Sequence, residues 1–446
     1  MTIYSSYGIR IKEYRHIFDE TVTVYRSAVD YLIDVCEEHW EEIASYDAPL
    51  KRCNYVEKLV HNTKNNIAAY DFDAKFYKLP SYYRRAAISS AIGMVSSYRS
   101  NLANWENVGR KPGKPKAGYT FPVLYHKECF RKTEDKYVCE IKVRIRNTWD
   151  WITVSLRKSD VDYIDHHCAS RRRLSPSLVK HGKRWSLVFP FEEHVKLTEE
   201  VDTILAVDLG INSACTCSVM TSDGTILGRK FLKLPGEQDS LMHALNRIKK
   251  AQQHGNYKMP RLWAKANGIN DHIAQLTADF IIDTAVYYNV DCIVFEHLDL
   301  KKKKRGSKKQ KLHMWKANTV QRIVTDKAHR LHMRISRVCA WGTSKYAYDG
   351  SGVVERGIDD NYSICRFKSG KIYNCDLSAS YNIGARYIIR EIVKSLPETA
   401  RLALEAKAPQ IAKRSTCTYS TLISLIAELE ELVLPADSKS AVEAAA

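Results

Sequence analysis

The chain of 446 residues has no apolar run that approaches the roughly 18 residues of a membrane-spanning helix. Its twelve cysteines include no Cys-x-x-Cys pair, which excludes the usual spacing of a four-thiolate zinc ribbon or a thioredoxin-like redox motif. The opening Met1-Thr2-Ile3-Tyr4-Ser5-Ser6-Tyr7 lacks the basic-then-apolar pattern of a secretion leader. The cysteines, several of them inside apolar strands (Cys215, Cys217, Cys292), are therefore expected to be reduced, mostly buried thiols of a cytosolic protein. No internal repeat recurs, so a solenoid is not expected. Acid is also scarce: 69 Lys and Arg stand against 51 Asp and Glu, a formal charge of +18. With no membrane partner indicated, that excess favours a polyanion such as DNA or RNA.

What is present is globular and multidomain. Hydrophobic residues make up 45% and charged residues 27%. Ile9-Arg10-Ile11 reads as a short strand. Over about residues 14–40, Val22, Tyr25, Val29, Leu32 and Cys36 recur at helical spacing. A second helical stretch covers about residues 80–105 and carries Arg84, Arg85 and Arg99. Gly109-Arg110-Lys111-Pro112-Gly113-Lys114-Pro115-Lys116 interrupts regular structure. Strand-like runs follow at 137–146, 151–156 and 185–189, which suggests a small antiparallel barrel. A new domain starts near Thr203, in which Leu241, Ala244, Leu245 and Ile248 share one helical face and Ile273, Leu276, Phe280 and Ile281 another.

Three acids stand out there. Asp208 ends the apolar run Ile204-Leu205-Ala206-Val207, Glu296 ends Cys292-Ile293-Val294-Phe295, and Asp376 opens a helix-like stretch. A carboxylate beside a hydrophobic strand is costly unless paired. Taken singly, Asp208 fits a strand-end turn, Glu296 the start of a loop, and Asp376 a helix cap. Their order is more telling. Strand-Asp, helices, strand-Glu and helix-opening Asp is the layout of RNase H-like nucleases. Hard oxygen ligands of this type suit Mg²⁺, and a two-metal site clamps the attacking and leaving oxygens of a phosphodiester.

Asp208-Leu209-Gly210-Ile211-Asn212, Phe295-Glu296-His297-Leu298 and Asp376-Leu377-Ser378-Ala379-Ser380-Tyr381-Asn382-Ile383 resemble the three split RuvC motifs of TnpB, the transposon-encoded RNA-guided nuclease related to compact type V CRISPR effectors. Lys327-Ala328, Ile335-Ser336-Arg337-Val338 and Thr343-Ser344 fall where that family has a Lys-Ala helix, a strand and a Thr-Ser pair. The basic Pro-Gly linker resembles the family's too. The resemblance implies a multidomain α+β protein: an RNase H-like RuvC nuclease domain (α/β, mixed sheet), a helical recognition lobe and a small antiparallel β-barrel wedge domain. It places a wedge strand at 1–14, the recognition lobe at 15–105, the barrel at 106–202, RuvC at 203–342 and 376–396, a target-nucleic-acid-binding module at 343–375 and a C-terminal tail at 397–446.

The same resemblance implies an RNA-guided DNA endonuclease of the prokaryotic cytoplasm, found at the nucleoid when bound to DNA. Its partners would be a guide RNA and a double-stranded DNA target. Asp208, Glu296 and Asp376 would hold two Mg²⁺ ions, and Arg356 would stabilise charge on the scissile phosphate. His297 is the variable position of the Glu-x-Leu motif. Nucleic-acid contacts are expected from Arg84, Arg85, Arg110, Lys111, Lys114, Lys116, Lys301, Lys302, Lys303, Lys304 and Arg305, with Trp315 as an exposed stacking ring. The chain departs from the family in two places. Ala347, Gly350 and Lys368 stand where three of four zinc-binding cysteines would be, so no zinc is expected. Ser378 stands where the family has Asn. Two alternatives remain: an RNA-guided DNA binder with weak or no cleavage, and a guide-free RNase H-like resolvase or transposase.

Overall fold

The computed structural model describes residues 1–13, 15–105, 111–210, 213–298, 314–358, 361–407, 411 and 415–433. The chain divides into two compact units, residues 2–194 and residues 195–446 with Met1.

The N-terminal unit contains strands β1 (Thr2–Arg10), β2 (Phe130–Lys132), β3 (Val138–Ile145), β4 (Thr148–Ser155), β5 (Arg172–Arg173), β6 (Ser177–His181) and β7 (Arg184–His194). Its helices are α1 (His16–Glu38), α2 (Trp40–Ser45), α3 (Pro49–Val60), α4 (Phe72–Lys75), α5 (Ser81–Ala103) and α6 (Lys158–His167). The helical periodicity is realised in α1, where Val22, Tyr25, Val29, Leu32 and Cys36 are all buried. Tyr25 meets α5, its hydroxyl 2.9 Å from Ser90 Oγ. The strands form two antiparallel sheets rather than one continuous ladder. β7 pairs with β1, β5 and β6, while β3 lies between β2 and β4. A backbone bridge from Ile11 to Leu156 links them.

The C-terminal unit is a three-layer α/β/α structure. Its strands β8 (Thr203–Asp208), β9 (Cys215–Thr221), β10 (Ile226–Leu232), β11 (Cys292–His297) and β12 (Arg334–Cys339) lie in the order β10-β9-β8-β11-β12. β8, β11 and β12 are parallel; β9 pairs antiparallel with β8, and β10 antiparallel with β9. Because side chains alternate along a strand, each strand feeds both faces. Leu205, Val207, Cys217, Val219, Ile293 and Phe295 meet α8 (Pro260–Tyr287) and α9 (Ala317–Arg330), with α7 (Pro235–Gln253) packed on α8. Ile204, Ala206, Met220 and Val294 meet α10 (Cys375–Ser395). Gly384 permits that approach: a Cβ there would lie 2.6 Å from Met220 Sδ and 3.3 Å from Ala206 Cβ.

The segment 343–375 carries β13 (Glu355–Ile358), β14 (Asn361–Arg366) and β15 (Ile372–Asn374) in one antiparallel sheet. Its interior is apolar: Ala347, Cys365, Phe367 and Cys375, with Tyr348, Val354 and Tyr373 against them. The expected C-terminal tail, 397–446, carries helices. It includes α11 (Glu398–Lys407) and α12 (Tyr419–Val433), and Leu422 and Leu425 of α12 are buried in the same core as α10. Leucines at i and i+3 on one helical face carried that signal.

Candidate functional site

Asp208 is the last residue of β8, and Glu296 is the fifth of β11. Val207 pairs with Phe295, so the next residue on each parallel strand is one of the two acids. Both stand at the carboxyl ends of adjacent strands, where open α/β sheets usually bind ligands. The strand-end glycine, Gly210, is held close to the backbone, and a Cβ there would lie 2.6 Å from Ser213 O.

Asp376 arrives from the other layer, in the first turn of α10. It is not the cap. Asn374 fills that role, accepting from Leu377 N at 2.9 Å. The Asp376 carboxylate is thus left for other partners, in the favourable field of a helix N-terminus.

The electrostatics place the three acids in one neighbourhood. The carboxyl of Asp208 is held well above its ordinary range by burial, then by the charges of Glu296 and Asp376, against an opposing pull from Arg356. Burial raises Asp376 as well, and Arg356 and Lys233 draw it down. Burial raises Glu296, opposed by a hydrogen bond from Thr343 and by the buried guanidinium of Arg386. Thr343 Oγ1 donates to Glu296 Oε1. A buried carboxylate raised by two neighbouring ones belongs to a donor set that a hard cation would relieve. Among the described residues, no three His, Cys, Asp or Glu side chains already stand close enough to form a closed ion-binding group.

The surroundings are built to fix this end of the sheet. Gln321 donates to Glu296 O at 2.9 Å and accepts from Arg337 Nε at 3.0 Å. Arg386 is only 4% exposed. It donates to the carbonyls of Cys339 at 2.7 Å, Trp341 at 2.9 Å, Ser415 at 2.6 Å and Cys417 at 3.1 Å. Lys233, Gln321 and Arg386 were not anticipated from sequence. An Arg on the buried face of an otherwise apolar helix was the available signal for Arg386; Lys233 had none. Arg356 lies on β13 and donates to Ser344 O at 2.6 Å. Ser378 accepts from Tyr348 N at 3.1 Å.

Other expected contact residues are placed differently. Arg84 is buried, not a surface contact: it pairs with Glu57 at 3.0 Å and lies 3.9 Å from Asp73. Arg85 shares Glu57 at 2.9 Å. Trp315 is not a freely exposed ring; it is partly buried against the α8–α9 core and lines a cavity of about 310 Å³ beside Leu209 and Gly210. Lys114 is exposed but lies 2.7 Å from Glu37 and 3.0 Å from Asp34. Lys111 and Lys116 are exposed. Arg110, Lys301, Lys302, Lys303, Lys304 and Arg305 lie outside the described residues. In the 343–375 module, Ala347 is fully buried and Gly350 has φ of +79°, a conformation that favours glycine. Cys365 is pushed up to about 12 by burial and the neighbouring Cys375 thiol, so it is a weak source of thiolate.

The Aq_aa04 family model matches residues 5–145. Protein aq_aa04 of Aquifex aeolicus (strain VF5) is 28% identical over 127 residues, covering 26% of this chain and 72% of that protein. Among solved structures, the Cas12f1–sgRNA–target DNA complex aligns over 82% of this chain and 81% of that chain, at 13% identity and a TM-score of 0.50. The AacC2c1–sgRNA binary complex aligns over 84% and 70%, at 9% identity and a TM-score of 0.39. The chain therefore has a mixed α+β multidomain fold similar to that of the Cas12f1 effector.

Proposed function

We propose that this protein is an RNA-guided DNA endonuclease with a single RuvC-like site. The observation that carries the reading is the strand-Asp208, strand-Glu296, helix-Asp376 arrangement, with the electrostatic coupling of all three acids through Asp208. The likeness in fold to Cas12f1, solved with sgRNA and target DNA, supports a guide RNA and a DNA target as partners. Among the described residues no helix is long and apolar enough to cross a membrane.

Asp208, Glu296 and Asp376 would hold Mg²⁺, which when bound activates water and stabilises a leaving oxygen. The residues of this chain do the rest. Thr343 keeps Glu296 oriented through its hydrogen bond. Arg356, whose charge reaches Asp208 and Asp376, would meet a phosphate oxygen. Arg386 locks the 339–341 and 415–417 backbone from behind Glu296. Base pairing to the guide would read sequence, and the protein would supply basic contacts to backbone phosphates.

A second reading, RNA-guided binding with weak cleavage, is favoured by one observation: the described acids are electrostatic neighbours without forming a ready-made ion-binding group. The experiment is expression with native flanking DNA, sequencing of copurified RNA, and guided cleavage by wild type and Asp208→Ala in parallel with target affinity. Cleavage lost with affinity retained supports the nuclease. Wild-type target binding without cutting supports the binder. Cutting by RNA-free protein overturns both.

A further inference from the structure

Asp208 and Thr216 are directly opposed on the antiparallel pair β8–β9. Opposed residues of such a pair put their side chains on the same face. Here that face is the one toward α10, because Ala206 and Ile204 on β8 and Met220 on β9 share its core with Tyr381, Ile383 and Ala385. Thr216 is 1% exposed, and its Oγ1 has no hydrogen-bond partner among the described residues. Nor does any described side chain donate to the Asp208 carboxylate; burial and neighbouring charges alone account for its shift. Among the described residues, a buried hydroxyl without an acceptor therefore lies opposite a buried carboxylate without a donor. β-Branching leaves Thr216 few side-chain rotamers, so the hydroxyl has few places to go. Valine, its near-isostere, would fill the same space without a polar atom to satisfy.

We propose that Thr216 is a positioning residue for the cation site: when a divalent ion is bound, its hydroxyl donates to Asp208 and holds that carboxylate aimed at the ion. The proposal rests on the metal-site reading above. Donation to one carboxylate oxygen would leave the other oriented for the ion, the service that outer-sphere partners give metal ligands elsewhere. Ser218, opposite Ala206, has an equally unpartnered buried hydroxyl among the described residues but faces no acid, so it serves as the control.

The test uses full-length protein with its copurified RNA, Mn²⁺ binding by calorimetry, and thermal unfolding in EDTA. Thr216→Val is expected to weaken Mn²⁺ binding about tenfold. Its melting temperature in EDTA should equal or exceed that of wild type, because an unsatisfied hydroxyl has been removed. Thr216→Ser should restore affinity, and Ser218→Ala should leave it unchanged. Should valine crowd the seam and prevent folding, Thr216→Ala asks the same question. Wild-type Mn²⁺ affinity in Thr216→Val, or a loss that Thr216→Ser does not rescue and that follows a lower melting temperature, overturns the proposal. Asp208→Ala separates the two levels. If it abolishes Mn²⁺ binding while Thr216→Val does not alter it, only the role of Thr216 falls. If Asp208→Ala binds Mn²⁺ normally, the metal-site reading falls and takes this proposal with it.

Discussion

Asn382 donates through its side-chain amide to Thr343 O and to Tyr346 O, each at 2.9 Å, and accepts from Tyr419 N at 3.1 Å. One buried amide on α10 thus fixes the loop whose Thr343 hydroxyl binds Glu296. Asn382→Ala would leave two carbonyls and one amide to find new partners. A loss of about 1–3 kcal/mol is expected, read by denaturant unfolding, together with reduced guided cleavage. Unchanged stability would show that the amide is not a structural tie.

The pH dependence of stability should carry the signature of Asp208. Its carboxyl is raised well above 3.8 in the folded chain. The folded state therefore holds that proton more tightly than the unfolded state. The associated stability is fully present below about pH 4 and is lost as pH rises through the folded value. In EDTA, Asp208→Asn should flatten that decline and raise the melting temperature near neutrality by roughly 2–4 °C. A melting temperature that falls instead would mean that the ionised carboxylate is stabilised by a partner.

Thr343→Val removes the hydrogen bond that draws Glu296 down against burial. The Glu296 pKa should rise further, so more alkaline conditions are needed to ionise it. The rising limb of the cleavage pH profile should move to higher pH, with Thr343→Ser returning it. A uniform drop in rate at every pH would place the effect in geometry rather than ionisation.

Charge reversal of Lys111 and Lys116 should weaken RNA retention across guide sequences and lessen its salt dependence. Arg84→Ala should act differently, costing about 2 kcal/mol of stability by removing a partner of Glu57, without changing the salt slope. Equal salt slopes in both variants would reverse the assignment of these cations.

The 343–375 module should be indifferent to metal. Its interior is apolar, built from Ala347, Cys365, Phe367 and Cys375. Elemental analysis should find no stoichiometric zinc. One zinc per chain would refute this.

The element-end positions of Asp208, Glu296 and Asp376 were legible in sequence because each ends an apolar run or opens a helix. α1 and α5 were legible from their helical patterning. Trp315 and Arg84 were misjudged because exposure depends on tertiary neighbours: a polar sequence flank does not reveal that a tryptophan turns toward a core, nor that Glu57 lies one helix away from Arg84. α12 left a sequence signal in leucines at i and i+3, but the partner face they pack on, α10, comes only from the fold. Arg386 and Asn382 bond to backbone carbonyls remote in sequence, and composition carries no trace of such pairings.

The Arg386 clasp also bears on when the site can exist at all. Its guanidinium binds carbonyls at Cys339, Trp341, Ser415 and Cys417. A ribosome delivers the chain from the N-terminus, and domains generally fold as units in that order. The strand bearing Asp208 emerges more than two hundred residues before Ser415 and Cys417 do. The acids therefore reach their final setting only after Ser415 and Cys417 have emerged, long after the strand that carries Asp208.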